Sequence, residues 1–226
     1  MPKSKSTPSI SACARCGTCC KKGGPSFHHE DKPLIEKGII LLKCLYTIRK
    51  GEPAYDNVKG SLRPAPSDII KIKYHKDSLT CIFFCESETR CKIYENRPLE
   101  CRVLTCWDTR EIEKIYSKNR LTRKDIAASI EGLWDLIEDH QRRCSYAKVQ
   151  KLVNALDGGR NDDALKGILI MLRYDSDLRN LVVQKGNLDA GITDFLFGRP
   201  LMKTLRLYAL KVEKKGDTYC LVPVKY

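Results

Sequence analysis

The chain has no long apolar run: its longest aliphatic stretch, Ile168-Leu-Ile-Met-Leu172, is far too short to cross a membrane. The basic opening, Met1-Pro-Lys-Ser-Lys-Ser-Thr, has no apolar segment after it, which speaks against a secretory signal and predicts a cytoplasmic protein with reduced thiols. Lys and Arg are spread along the chain without a dense basic run or interleaved aromatics, so the formal charge of +13 makes a poor case for nucleic-acid binding. The two glycine pairs, Gly23-Gly24 and Gly158-Gly159, are isolated and lie outside the strand-turn-helix context of a nucleotide fingerprint. Internal repeats and low-complexity linkers are also missing, so one continuous α+β unit is expected.

What the chain does have is cysteine, 12 in 226 residues. Four of them open it as Cys13-Ala-Arg-Cys16-Gly-Thr-Cys19-Cys20. Thiols spaced two residues apart converge on one metal, whereas a disulfide framework spreads its partners along the chain. Gly17 suits a metal knuckle, because a residue without Cβ lets backbone N–H groups turn toward sulfur. A helix, at about 100° per residue, would also gather the four on one face. With 42% hydrophobic and 31% charged residues the chain can bury a core of its own, so a metal is not needed merely to make folding possible.

A second group follows: Cys81-Ile-Phe-Phe-Cys85, then Cys91-Lys-Ile-Tyr-Glu-Asn-Arg-Pro-Leu-Glu-Cys101-Arg-Val-Leu-Thr-Cys106. On these motifs the chain resembles the CxxCxxCC, or YkgJ-type, cysteine-cluster family of zinc- or iron-chelating domains. The likeness spans roughly residues 13 to 106. It rests on Cys13, Cys16, Cys19, Cys20 and Cys81, and on the segment from Cys91 through Cys101 to Cys106, which is similar to C-x-I-Y-x-x-R-P-x-x-C-R-x-x-x-C. The resemblance implies that these eight cysteines bind metal. One branch of the family is similar to flagellin lysine N-methylases, which implies an alternative: a lysine methyltransferase with a protein substrate and S-adenosylmethionine as donor.

Eight thiolates divide into two closed four-cysteine zinc sites, of structural kind. The C-x-x-C-x-x-C portion is also the run that holds an iron–sulfur cluster in ferredoxins, although the following Cys-Pro is absent. Adjacent and surplus cysteines favour iron–sulfur over zinc, and the role is then structural or redox. Cys85, in a C-x3-C pair with Cys81, is an alternative ligand, and His28 and His29 can add imidazole. Cys44, Cys144 and Cys220 lie in apolar or helical contexts and read as packing residues. Arg15, Lys21, Lys22, Arg90, Lys92, Arg97 and Arg102 flank the candidates, as befits a centre of net negative charge. A zinc-dependent nucleic-acid-binding module is a third reading of cysteines and charge together.

The expected fold is α+β: an irregular cysteine-rich region with a few short strands, followed by a mainly helical half. Residues 1–12 read as a flexible tail, 13–108 as the metal-binding region and 109–226 as a helical region packed on it. Asp31 is expected to cap a short helix to Glu36, and Asn96 a helix carrying Cys101 with Pro98 in its first turn. Strands are expected at 68–74 and 79–84, with a turn at 87–89. The helical half reads as Glu111 to Lys118, one long amphipathic helix from Arg123 to Arg142, a helix from Tyr146 to Leu156 ended by Gly158-Gly159, and one from Asp162 to about Tyr174 that Leu178 to Gln184 extends or follows. The segments 205–212 and 219–224 alternate as a hairpin around Lys-Lys-Gly-Asp.

Overall fold

The computed structural model describes residues 13–157, 161–215 and 218–224. The expected tail at 1–12, the Gly158-Gly159 stop and the Gly216-Asp217 turn lie outside them.

The first half is built on small antiparallel pairs. β1 (Leu45–Ile48) pairs with β4 (Ile69–Ile72), Leu45 facing Ile72 and Ile48 facing Ile69. All four residues of β1 are buried, as are Ile69, Ile70 and Ile72, because branched apolar side chains fill both faces of this ladder. Between them, β2 (Pro53–Asp56) and β3 (Ser61–Pro64) form a separate hairpin. The expected strand at 79–84 shrinks to a bridge between Tyr74 and Cys81 and a two-residue pair, β5 (Phe84–Cys85) with β6 (Arg90–Cys91). The turn at 87–89 is present, with Thr89 at φ 47.

Residues 25–28 run alongside β4, where the Phe27 N–H donates to the Ile70 carbonyl at 2.9 Å and the Ile72 N–H to that of Pro25 at 3.3 Å. On the other side the Leu121 N–H donates to the Phe27 carbonyl at 3.0 Å. Phe27, Ile70 and Leu121, all at 0% exposure, belong to one core with Leu45, Ile137, Leu178 and Phe195, so both halves of the chain contribute to it. Truncating any of these large side chains to alanine costs about 2–5 kcal/mol.

The helices are α1 (Lys32–Glu36), α2 (Leu99–Val103), α3 (Arg110–Ile115), α4 (Arg123–Ala127), α5 (Leu133–Arg143), α6 (Tyr146–Asp157), α7 (Asp162–Gly186), α8 (Thr193–Leu196) and α9 (Leu201–Thr204). The single helix expected at 123–142 is therefore two. Gly132 takes φ +71 and breaks the run, which leaves Ile130 half exposed while Ile137 is fully buried. α7 runs through 25 residues, so the segment from Leu178 to Gln184 extends the helix that opens at Asp162 rather than following it as a separate one. The closing hairpin is present as β7 (Leu210–Lys215) against β8 (Thr218–Pro223), but residues 205–208 form a 3-10 turn before it. α6, α7 and α9 share a second core around Cys144, Tyr146, Ile168 and Leu201.

Four arginines are sunk at the junction of the halves. Arg123 pairs with Asp68 at 2.6 Å, Arg179 with Asp175 at 3.0 Å and Arg199 with Glu52 at 2.5 Å. Arg49, at 0% exposure, donates to the Gln141 side-chain carbonyl at 3.1 Å and lies 4.7 Å from the Tyr146 ring centroid, while its Nε and Nη2 have no hydrogen-bond partner among the described residues. Its side chain passes so close to Gly198 that a Cβ there would lie 2.6 Å from the Arg49 Cγ.

Candidate metal centre

The N-terminal cysteines lie on a turn rather than a helix. Gly17, at φ +77, packs against the Phe84 ring, and a Cβ at this position would stand 2.1 Å from the Phe84 Cζ. Gly17 is thus required both for its backbone angle and for the absence of a side chain. The chain then tightens into a 3-10 turn at Cys20–Lys22, where the Lys22 N–H donates to the Cys19 carbonyl at 3.2 Å and the Lys21 N–H to that of Gly17 at 3.0 Å. The Cys20 carbonyl accepts from the Cys81 N–H at 2.8 Å, which ties the opening turn to the second cysteine group. The β5–β6 register sets Phe84 opposite Cys91, and α2 carries Cys101.

These segments bring Cys19, Cys20, Cys81, Cys91 and Cys101 within electrostatic reach of one another. Burial pushes the Cys101 thiol well above its ordinary value, and the neighbouring thiols of Cys81, Cys19 and Cys91 push in the same direction. Burial likewise raises Cys81, with Cys91 and Cys19 adding to it. Cys19 and Cys20 share a thiol–thiolate hydrogen bond. As its acceptor Cys19 is brought down to about 6, helped by the Arg97 charge, while Cys20 is driven up by that bond, by burial and by Cys81 and Cys91. Cys20, Cys81 and Cys101, whose ionisation is opposed by burial and by their neighbours, are relieved by a cation placed among them, because it turns repulsion into shared attraction.

The remaining predicted cysteines lie outside this group. Cys13 and Cys16 are exposed on the turn; Cys16 contacts Thr18 Oγ1 at 3.2 Å, a hydrogen bond that lowers its pKa. Cys106 is exposed beyond α2, which ends at Val103 before a turn closed by Thr105 Oγ1 donating to the Asp108 carbonyl at 2.5 Å. Cys85 points to Ser87, 3.3 Å away, and its thiol is lowered by that contact. Among the described residues no three Cys, His, Asp or Glu side chains converge on a common ion position. The donor chemistry of the five-thiol group suits a thiophilic metal, and loading one requires the sulfurs to rotate about their Cα–Cβ bonds.

His28 is not placed as a ligand. Its Nδ1 lies 2.8 Å from the Lys118 carbonyl and its Nε2 3.3 Å from Glu100 Oε1, so both ring nitrogens are engaged. Burial opposes the imidazolium, but the Glu100 hydrogen bond and charge outweigh it and raise the pKa. His29 is exposed, 3.9 Å from Asp125. Sequence reading missed the supports of α2. The Asn96 cap is absent; instead Asp31, fully buried, accepts from the Leu99 N–H at 2.7 Å and the His28 N–H at 3.0 Å. Asp31 therefore caps the cysteine-bearing helix across the chain and makes no side-chain cap to α1. Glu100 accepts from the Ser26 N–H at 2.6 Å, and Lys71 lies near enough to act on Glu100, Cys101 and Cys81. Only the adjacency of Glu100 to Cys101 hinted at this in the sequence. Cys44 and Cys144 pack into the two cores, and Cys220 donates to the Glu213 carbonyl at 3.4 Å, in keeping with packing roles.

A cysteine-rich turn, a small hairpin and a short helix that gather thiols from distant segments define a metal-chelating class of protein. The model of the CxxCxxCC family, described as a proposed zinc- or iron-chelating domain, matches residues 12–120 of the chain. No curated protein and no solved structure matches the chain.

Proposed function

We propose that the protein holds a thiolate-ligated metal centre, iron–sulfur or zinc, with Cys19, Cys20, Cys81, Cys91 and Cys101 supplying its inner ligands and Cys13, Cys16 and Cys106 completing the set. The carrying observation is that four separate stretches of chain bring these thiols together, with the Cys81 N–H donating to the Cys20 carbonyl at 2.8 Å and the β5–β6 pair setting Phe84 opposite Cys91. Five gathered thiols exceed what one closed zinc site uses, which favours a polynuclear iron–sulfur cluster with a redox or structural role. The family match supports metal chelation and is neutral between zinc and iron. We further take residues 13–108 and 109–226 as one continuous unit, since both build the core around Phe27 and Ile137, and the cytoplasm as the compartment that keeps such thiols reduced. Methyl transfer from S-adenosylmethionine and nucleic-acid binding gain no supporting observation. The visible absorption spectrum and acid-labile sulfide of protein purified without oxygen test the choice of metal. Brown protein with iron and sulfide supports the cluster; colourless protein with zinc makes the centre a structural clamp; protein with neither removes the reading.

A further inference from the structure

Tyr94 lies between two cations. The Arg15 guanidinium sits 4.0 Å from its ring centroid and that of Arg97 3.7 Å. Two guanidiniums cannot share one face of a ring at these distances, so they occupy opposite faces. Arg97 is also fixed by its Nε–H, which donates to the Tyr94 carbonyl at 2.8 Å. Arg15 lies between Cys13 and Cys16, at φ 55, with its own N–H directed at Cys13 Sγ, 3.4 Å away. That left-handed angle is uncommon for a side chain as long as arginine, and the stack on Tyr94 is the contact that offsets it. Tyr94 itself follows Cys91 and precedes Cys101 in the chain.

We propose that Tyr94 is a positioning residue of the metal centre, a two-sided latch that holds the Cys13–Cys16 turn against the segment bearing Cys91 and Cys101. The inference rests on the metal-centre reading above. Two cations stacked on one ring repel each other, and anionic charge nearby is what makes the arrangement favourable. A thiolate-rich centre carries the net negative charge that would draw both guanidiniums inward. The latch and the centre therefore stabilise each other: metal loading strengthens the stack, and the stack delivers Cys13 and Cys16, which the backbone alone leaves exposed.

The test compares metal affinity, by competition with a chelator, in the wild type, Tyr94→Phe, Tyr94→Leu and Arg15→Met, with thermal unfolding of the metal-free proteins as a control. Tyr94→Phe keeps both ring faces and retains wild-type affinity. Tyr94→Leu loses one cation–π contact on each face and weakens metal binding roughly 5- to 30-fold, and Arg15→Met roughly 2- to 5-fold. Should Tyr94→Leu not fold, Arg15→Met decides, because that side chain is exposed on a turn. Equal affinity in Tyr94→Leu and wild type, equal affinity in Arg15→Met and wild type, or Tyr94→Phe as weak as Tyr94→Leu, overturns the latch alone. A wild type that binds no metal overturns the centre and the latch with it.

Discussion

Alanine in place of Gly17 is expected to cost about 2–5 kcal/mol of folding free energy, and the two contributions can be separated. The residue sits at φ +77, where a Cβ is strained by about 1–2 kcal/mol. The new methyl would also stand 2.1 Å from Cζ and 2.6 Å from Cε2 of Phe84, a ring that is 5% exposed and backed by the core. Relieving that overlap adds about 1–3 kcal/mol. Gly38 supplies the control, since it has φ +68 but nothing within 4 Å of its would-be Cβ, so Gly38→Ala should show the backbone cost only. Urea unfolding of metal-free protein measures both. Phe84→Leu combined with Gly17→Ala should recover part of the loss, giving a coupling of about 1–3 kcal/mol in the double-mutant cycle. Equal costs for the two glycines, or a cycle that sums to zero, would refute the packing argument and reduce Gly17 to an ordinary turn residue.

Asp31→Ala strands two buried N–H groups, those of Leu99 and His28, and should destabilise metal-free protein by about 2–4 kcal/mol in urea titrations. Burial holds the His140 pKa down to about 4 although its Nε2 lies 2.8 Å from Asp175 Oδ1, so the unfolded chain binds the proton more readily than the folded one. Stability should therefore fall by about 3 kcal/mol as pH drops from about 6.5 to about 4, and urea midpoints across that range should lose the slope in His140→Gln. Asp175, held at about 2 by His140 and Arg179 against the effect of burial, is a depressed carboxylate whose contribution is present above about pH 4 and is lost only below it. Gln141→Glu gives buried Arg49 the carboxylate it lacks and should stabilise the protein by about 1 kcal/mol, seen as a melting temperature raised by about 2–4 °C.

The cysteine spacing made the chemistry of the centre legible, because ligand-like thiols two residues apart are a local signal. Which thiols meet was not legible. The grouping of Cys19 and Cys20 with Cys81 depends on a hydrogen bond between backbone atoms 61 positions apart in sequence, and that of Cys91 on a two-residue hairpin too short to leave an alternating pattern. Helices with a local stop signal were hard to place when the signal was ambiguous. Gly132 was read as part of an amphipathic run because Ile126, Leu133 and Trp134 keep the helical spacing, while its left-handed angle leaves no mark on that spacing. The Asp31 cap on α2 illustrates the same limit: the carboxylate lies 68 residues from the N–H that it satisfies. Whether His28 adds an imidazole ligand stayed open in the sequence, for want of any sign that Glu100 and the Lys118 carbonyl would occupy its ring.

The most direct test of the metal centre is metal content per chain after oxygen-free purification, in the wild type, Cys101→Ser, Cys91→Ser and Cys44→Ser. The account predicts stoichiometric iron or zinc in the wild type and in Cys44→Ser, and its loss from Cys91→Ser and Cys101→Ser. A wild type without metal, or variants at Cys91 and Cys101 that keep the full complement, would contradict it.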